Sequence, residues 1–107
     1  MATRETRDRD VLHDDAAGRY ELWLDDELVG VADYVDRDGA LAFVHTEILP
    51  GRRNEGLAAR LVRAALEDVV ASGRRFVPVC PYVVAYVGRH PEIAGPRPSA
   101  SSPEASA

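Results

Sequence analysis

Leu57, Ala58, Leu61, Val62, Ala65, Leu66, Val69 and Val70 recur at helical spacing and make one broad apolar face, with Arg60, Arg63, Glu67 and Asp68 on the other side. Short alternating or β-branched runs lie on both sides of this pattern, so the surface available to cover the helix is a sheet, and the helix should pack flat against it. Gly73 stands where a left-handed C-terminal cap is expected. With 107 residues and both ends reading as tails, the chain has room for one small domain. Such a domain buries only about 60 to 65% of its unfolded surface, which favours an open groove over a deep cavity.

Ahead of the helix, Tyr20, Leu22 and Leu24 alternate with Glu21, Trp23 and Asp25 at the period of a strand with two different faces. Asp25-Asp26-Glu27 turns the chain, residues 28–35 supply a second strand, Arg37-Asp38-Gly39 marks a second turn, and residues 41–49 a third strand. These three strands form an antiparallel meander. After the helix, residues 76–79 read as a fourth strand, placed parallel to the third by a β-α-β crossover. Pro78 cannot donate to a ladder, so it belongs at an edge, at a bulge, or where the strand has left its neighbour. A short helix, residues 82–89, begins behind Pro81 and ends before Pro91. The expected organisation is a polar N-terminal tail over residues 1–17, an α+β domain over residues 18–94, and a Pro/Ser/Ala/Gly tail over residues 95–107, both tails too poor in apolar groups to order themselves by burial.

The net charge is -5 with both signs intermixed, which argues against nucleic acid or an anionic membrane as partner. No apolar run approaches the roughly 18 to 20 residues of a membrane span, and the N-terminus lacks an apolar signal region. Cys80 is the only cysteine, which rules out an internal disulfide and fits a reducing compartment. A cytoplasmic protein, monomeric or weakly dimeric, is the expectation. His13, His45, His90 and Cys80 show no metal-ligand spacing, so no metal site is expected.

The chemistry concentrates at the passage from the third strand into the long helix. Arg53-Asn54-Glu55-Gly56-Leu57-Ala58 has the form R-x-x-G-x-A, with Pro50 three residues before the arginine. The first amides of a helix lack intrahelical partners and carry the positive end of its dipole, so such a loop can hold a phosphate or diphosphate. Gly56 permits close approach, and Arg52 and Arg53 add cationic side chains. No Lys-Ser or Lys-Thr follows the glycine, which excludes a nucleotide-hydrolase loop, and the three-glycine dinucleotide fingerprint is absent. His45 and Glu47 are two apart on one strand and share a face, as a proton acceptor with its partner or as a polar strand surface. Cys80 precedes a helix start whose dipole favours a thiolate, or else packs as an inert small hydrophobe. Tyr86, one turn into the last helix, is a phenolic proton source or a core aromatic.

The order of elements, together with His45-Thr46-Glu47, the Arg53-Asn54-Glu55-Gly56-Leu57-Ala58 loop and Cys80-Pro81-Tyr82 followed by Tyr86, His90, Pro91 and Glu92, resembles the GCN5-related N-acetyltransferase (GNAT) superfamily, and in particular its smallest stand-alone members. The resemblance covers residues 20–92. It implies acetyl-CoA as acyl donor and an amine, a protein lysine or a small amine, as acceptor. It further implies that backbone amides of Arg53, Asn54, Glu55, Gly56, Leu57 and Ala58 cradle the coenzyme A diphosphate and that Ile48 and Leu49 bond the pantetheine arm through their main chain. The third and fourth strands would splay to admit the cofactor, which gives Pro78 a reason. Glu47 and His45 would serve the base side, Tyr86 would protonate the departing sulfur, and Cys80 would lie close to the thioester, with direct transfer preferred over an acetyl-cysteine intermediate. The alternative is a non-catalytic acyl-CoA-binding or sensing module. Asn54 stands where a glycine is common in the family, and the extra elements with which larger relatives shape an acceptor pocket are missing.

Overall fold

The computed structural model describes residues 10–53 and 55–94; Asn54, the first nine residues and the segment 95–107 lie outside the described residues. Five strands, β1 (Val11–Asp14), β2 (Arg19–Leu24), β3 (Glu27–Arg37), β4 (Ala40–Ile48) and β5 (Arg75–Pro78), form one sheet in the order of the chain. The first four pair antiparallel, and β5 pairs parallel with β4. Helix α1 (Leu57–Ala71) lies between β4 and β5 in sequence, and α2 (Pro81–Arg89) follows β5. This is the mixed α+β arrangement expected, with one strand more.

The β2–β3 and β3–β4 hairpins turn on backbone that only small or polar residues tolerate well. Asp25 and Asp26 both have positive φ, as do Asp38 and Gly39, the two-residue geometry whose twist matches the flanking strands. Asp36 caps the second turn by accepting a hydrogen bond from the Gly39 amide at 2.9 Å. That bond, followed by the Arg74 guanidinium, holds the Asp36 carboxyl below its ordinary value.

α1 crosses all five strands and buries Leu57, Leu61, Val62, Ala65, Leu66 and Val69 against one face of the sheet, where Tyr20, Leu22, Phe43 and Leu41 meet them. α2 adds Val83 and Tyr86 to the same cluster. The helix ends as its sequence predicts. The Arg74 amide bonds the Val69 carbonyl and the Gly73 amide that of Val70, with Gly73 at φ +86°, so the last carbonyls are satisfied in a Schellman closure.

The reading of residues 1–17 as a tail is corrected over its last part. Val11 is buried and β1 pairs in register with β2, Val11 opposite Leu22 and Asp14 opposite Arg19. The His13 ring stacks on Tyr20 with centroids 4.2 Å apart, its Nε2 lies 2.6 Å from the Tyr34 hydroxyl, and Asp10 forms an ion pair with Arg60 of α1. Polar and ring contacts plus a backbone ladder hold the strand, and none of these leaves a mark in apolar periodicity.

In the β2–β3 register, Leu22 faces Gly30 and Trp23 faces Leu28, so Val29 is an extra residue in the ladder, a β-bulge. Val29 and Gly30 are both buried. A Cβ on Gly30 would come within 2.5 Å of Ile48 Cδ1 and 3.2 Å of the Glu47 carbonyl oxygen. Gly30→Ala is expected to lower stability by about 1–3 kcal/mol through overpacking, read as a lower midpoint in urea with an unchanged slope.

Candidate functional site

β4 and β5 part company at Phe43. Their last pair is Phe43 with Pro78, after which the Val79 and Cys80 amides both donate to the Phe43 carbonyl, at 3.0 and 2.8 Å. β4 runs on through Val44, His45, Thr46, Glu47 and Ile48 with no β5 residue beside it. Pro78, the last paired residue, lies on the outermost strand of the sheet, where a missing N–H is tolerated.

An open cleft of about 450 Å³ occupies this divergence, lined by His45, Thr46, Glu47 and Ile48 of β4, Arg53 of the loop, Ala58 of α1 and Tyr82 of α2. Its helical end is an uncapped helix start. Gly56 precedes α1 at φ +73°, no side chain caps the first turn, and no acidic residue stands in it. A Cβ at Gly56 would meet no protein atom within 4 Å, so the backbone here is open on the side a side chain would occupy. The two loop arginines divide the work. Arg52 is held by Glu27 and Glu55, each at 3.2 Å, whereas the Arg53 guanidinium turns along the cleft and donates from Nε to the Ile48 carbonyl at 3.4 Å.

On β4, His45 and Glu47 do share a face, and His45 Nε2 lies 3.2 Å from Glu47 Oε1 with both side chains more than half exposed. Thr46 points the other way and brings its hydroxyl to 3.7 Å from the Cys80 sulfur. Cys80 is the N-cap of α2 and is buried. Burial pushes its thiol up, but the Val83 amide, the Thr46 hydroxyl, and the Tyr82 and Thr46 amides together outweigh it and hold the thiol below its ordinary value. The capping bond itself does not close, so the first-turn amides act as oriented donors at longer range. Thr46→Val should therefore raise the Cys80 thiol pKa, which the pH dependence of thiolate ultraviolet absorbance reports without ambiguity because no other cysteine is present.

Several expected site residues fall elsewhere. Tyr86 is buried, and its hydroxyl accepts a hydrogen bond from Arg63 Nε at 2.9 Å; Arg63 also bonds Glu67 and Glu92 at 2.8 and 3.0 Å. Tyr86 thus ties α2 to α1 and is not on the cleft wall. Tyr82, one turn earlier, lines the cleft instead, and burial pushes its phenol up, the nearby Arg89 charge opposing. Leu49 spends its amide on the Val29 carbonyl and its carbonyl on the Arg52 amide, both at 2.9 Å, and the Ile48 carbonyl already accepts from Arg53 Nε, so both carbonyls expected to meet a ligand are engaged within the protein. Glu55 pairs with Arg52, and the Leu57 side chain is core, so Gly56, Leu57 and Ala58 can contribute through their amides. Asn54 lies outside the described residues.

Tyr82 and Thr46 were the residues to add. Both stand in the motifs Cys80-Pro81-Tyr82 and His45-Thr46-Glu47, and the period of two along a strand already sets Thr46 opposite its neighbours. Among the described residues, no group of three or more His, Cys, Asp or Glu is placed to hold a metal ion, and no helix is long and apolar enough to cross a membrane.

No curated protein matches the chain significantly. A family model described as GCN5-related N-acetyl-transferase matches residues 19–95, more than two thirds of the chain, from the start of β2 to just past the last described residue. With that match over the splayed strands and the uncapped helix start, the chain belongs to the GCN5-related N-acetyltransferase family.

Proposed function

We propose that the protein transfers an acetyl group from acetyl-CoA directly to an amine. The observation that carries this reading is the cleft between β4 and β5, open at one end onto the first amides of α1 and walled by Arg53. A diphosphate at that end would be held by the Gly56, Leu57 and Ala58 amides and by the Arg53 side chain, while the pantetheine arm would run along the unpaired edge of β4 at Ile48.

In the transfer, the amine lone pair forms the new C–N bond, the C–S bond breaks with its electrons going to sulfur, and the ammonium proton leaves. Glu47, partnered by His45, stands at the rim of the cleft to take that proton. The thiolate is the poor leaving group that needs help. Tyr82, a phenol kept protonated by burial and standing on the cleft wall, is better placed to supply a proton to sulfur than Tyr86, whose oxygen is engaged by Arg63. Cys80 beside Thr46 lines the same region, and direct transfer makes no use of it as a nucleophile.

The test is release of free thiol from acetyl-CoA in the presence of amines. Amine-dependent release supports the enzyme. Saturable coenzyme A binding with no such release supports an acyl-CoA-binding module in its place.

A further inference from the structure

The bulge at Val29 has an effect on the sheet face that carries no helix. Because Val29 and Gly30 are both buried, Leu28 and Val31 on the outer face stand one residue further apart than normal pleating would put them. The gap is a shallow hollow of about 180 Å³, lined by Leu28, Val29, Gly30, Val31, Glu47 and Leu49. Glu47 also lines the acetyl-CoA cleft, so the two spaces meet at one carboxylate, on either side of a single strand.

From this we infer that the hollow is the acceptor site and that the acceptor is a small primary amine carrying one apolar arm. The inference rests on the acetyltransferase reading above and deepens it. An ammonium group at Glu47 would be matched in charge by the carboxylate that takes its proton, with His45 beside it at 3.2 Å. Its arm would then lie between Leu28, Val31 and Leu49, the last of which is 38% exposed although it is a large hydrophobe. A hollow of about 180 Å³ that opens to solvent suits a short apolar arm of a few carbons, such as a branched five-carbon chain. A diamine or polyamine fits poorly. Its second cation would sit among aliphatic side chains with no second carboxylate in the lining, where desolvation is uncompensated. A lysine side chain within a peptide brings a backbone that an arm-sized hollow does not accommodate.

The experiment uses the full chain with coenzyme A bound, and three probes: isopentylamine, 1,4-diaminobutane and an Nα-acetyl-lysine amide. Two readouts are taken, thiol release from acetyl-CoA and the methyl resonances of Leu28, Val31 and Leu49. Isopentylamine should shift those methyls saturably and exceed the other two in kcat/KM by about tenfold or more, the usual discrimination of an apolar pocket. Leu28→Gln and the near-isosteric Val31→Thr should each raise KM for isopentylamine by about five- to tenfold and leave KM for acetyl-CoA unchanged. If the methyls stay still, or the diamine or the lysine amide is used equally well, the hollow is not the acceptor site even though thiol is released. If the methyls move and no amine releases thiol, the hollow binds as argued and the transferase reading fails instead.

Discussion

Glu47→Gln should lower kcat/KM for amine acetylation by about a hundredfold or more while leaving the affinity for coenzyme A within about twofold, because positioned general bases contribute roughly 10² to 10⁴ in rate. The substitution keeps the shape of the side chain and removes its charge and its ability to take a proton. Its effect on folding should be small. The Glu47 side chain is 60% exposed and its partner His45 54%, and an exposed pair of this kind contributes at most about 1 kcal/mol. Activity and stability are therefore expected to separate, which a purely structural role for the pair would not allow. Thermal melts run beside the kinetics check this.

Ala58→Glu should leave stability nearly unchanged and weaken coenzyme A binding severely. Ala58 stands in the first turn of α1, which contains no acidic residue, and it lines the cleft. A carboxylate there complements the helix dipole, worth about 0.3–1 kcal/mol, which offsets the cost of placing it at a half-buried position packed against the core, so the melting temperature should hold within a few degrees. The same carboxylate would compete with a diphosphate for the unpaired amides and repel it. A loss of a hundredfold or more in affinity, about 3 kcal/mol, is expected from like charges brought close at a partly buried site. A fold that holds while the ligand is lost separates the two effects. A helix start that only begins a helix would give the first effect without the second.

Most of the architecture was legible because the chain writes it in periodicity. The alternation through Tyr20, Leu22 and Leu24, the Asp-Asp and Asp-Gly turns and the apolar face of α1 each follow from local rules that tertiary packing did not override. Pro78 marked the end of an edge strand, one of the places the sequence offered for a residue without an N–H. Contacts between distant residues were not legible. Only α2's docking, with Val83 and Tyr86 inward, decides that Tyr82 and not Tyr86 faces the cleft, although both lie on one helix a turn apart. Adjacent arginines likewise looked equivalent until Glu27, far away in sequence, took Arg52 and left Arg53 along the cleft. β1 escaped notice because ring stacking and ion pairs hold it, and the Val29 bulge because Leu-Val-Gly-Val reads as ordinary strand.

The central claim is that the amides opening α1 grip a diphosphate inside the gap between β4 and β5. Titrating coenzyme A into the isotopically labelled protein while following backbone amide resonances tests it most directly. Saturable shifts centred on Arg53, Gly56, Leu57, Ala58 and Ile48, reduced when dephosphorylated pantetheine replaces coenzyme A, are the result expected. Binding that leaves those amides unmoved, or no binding at all, would contradict the account.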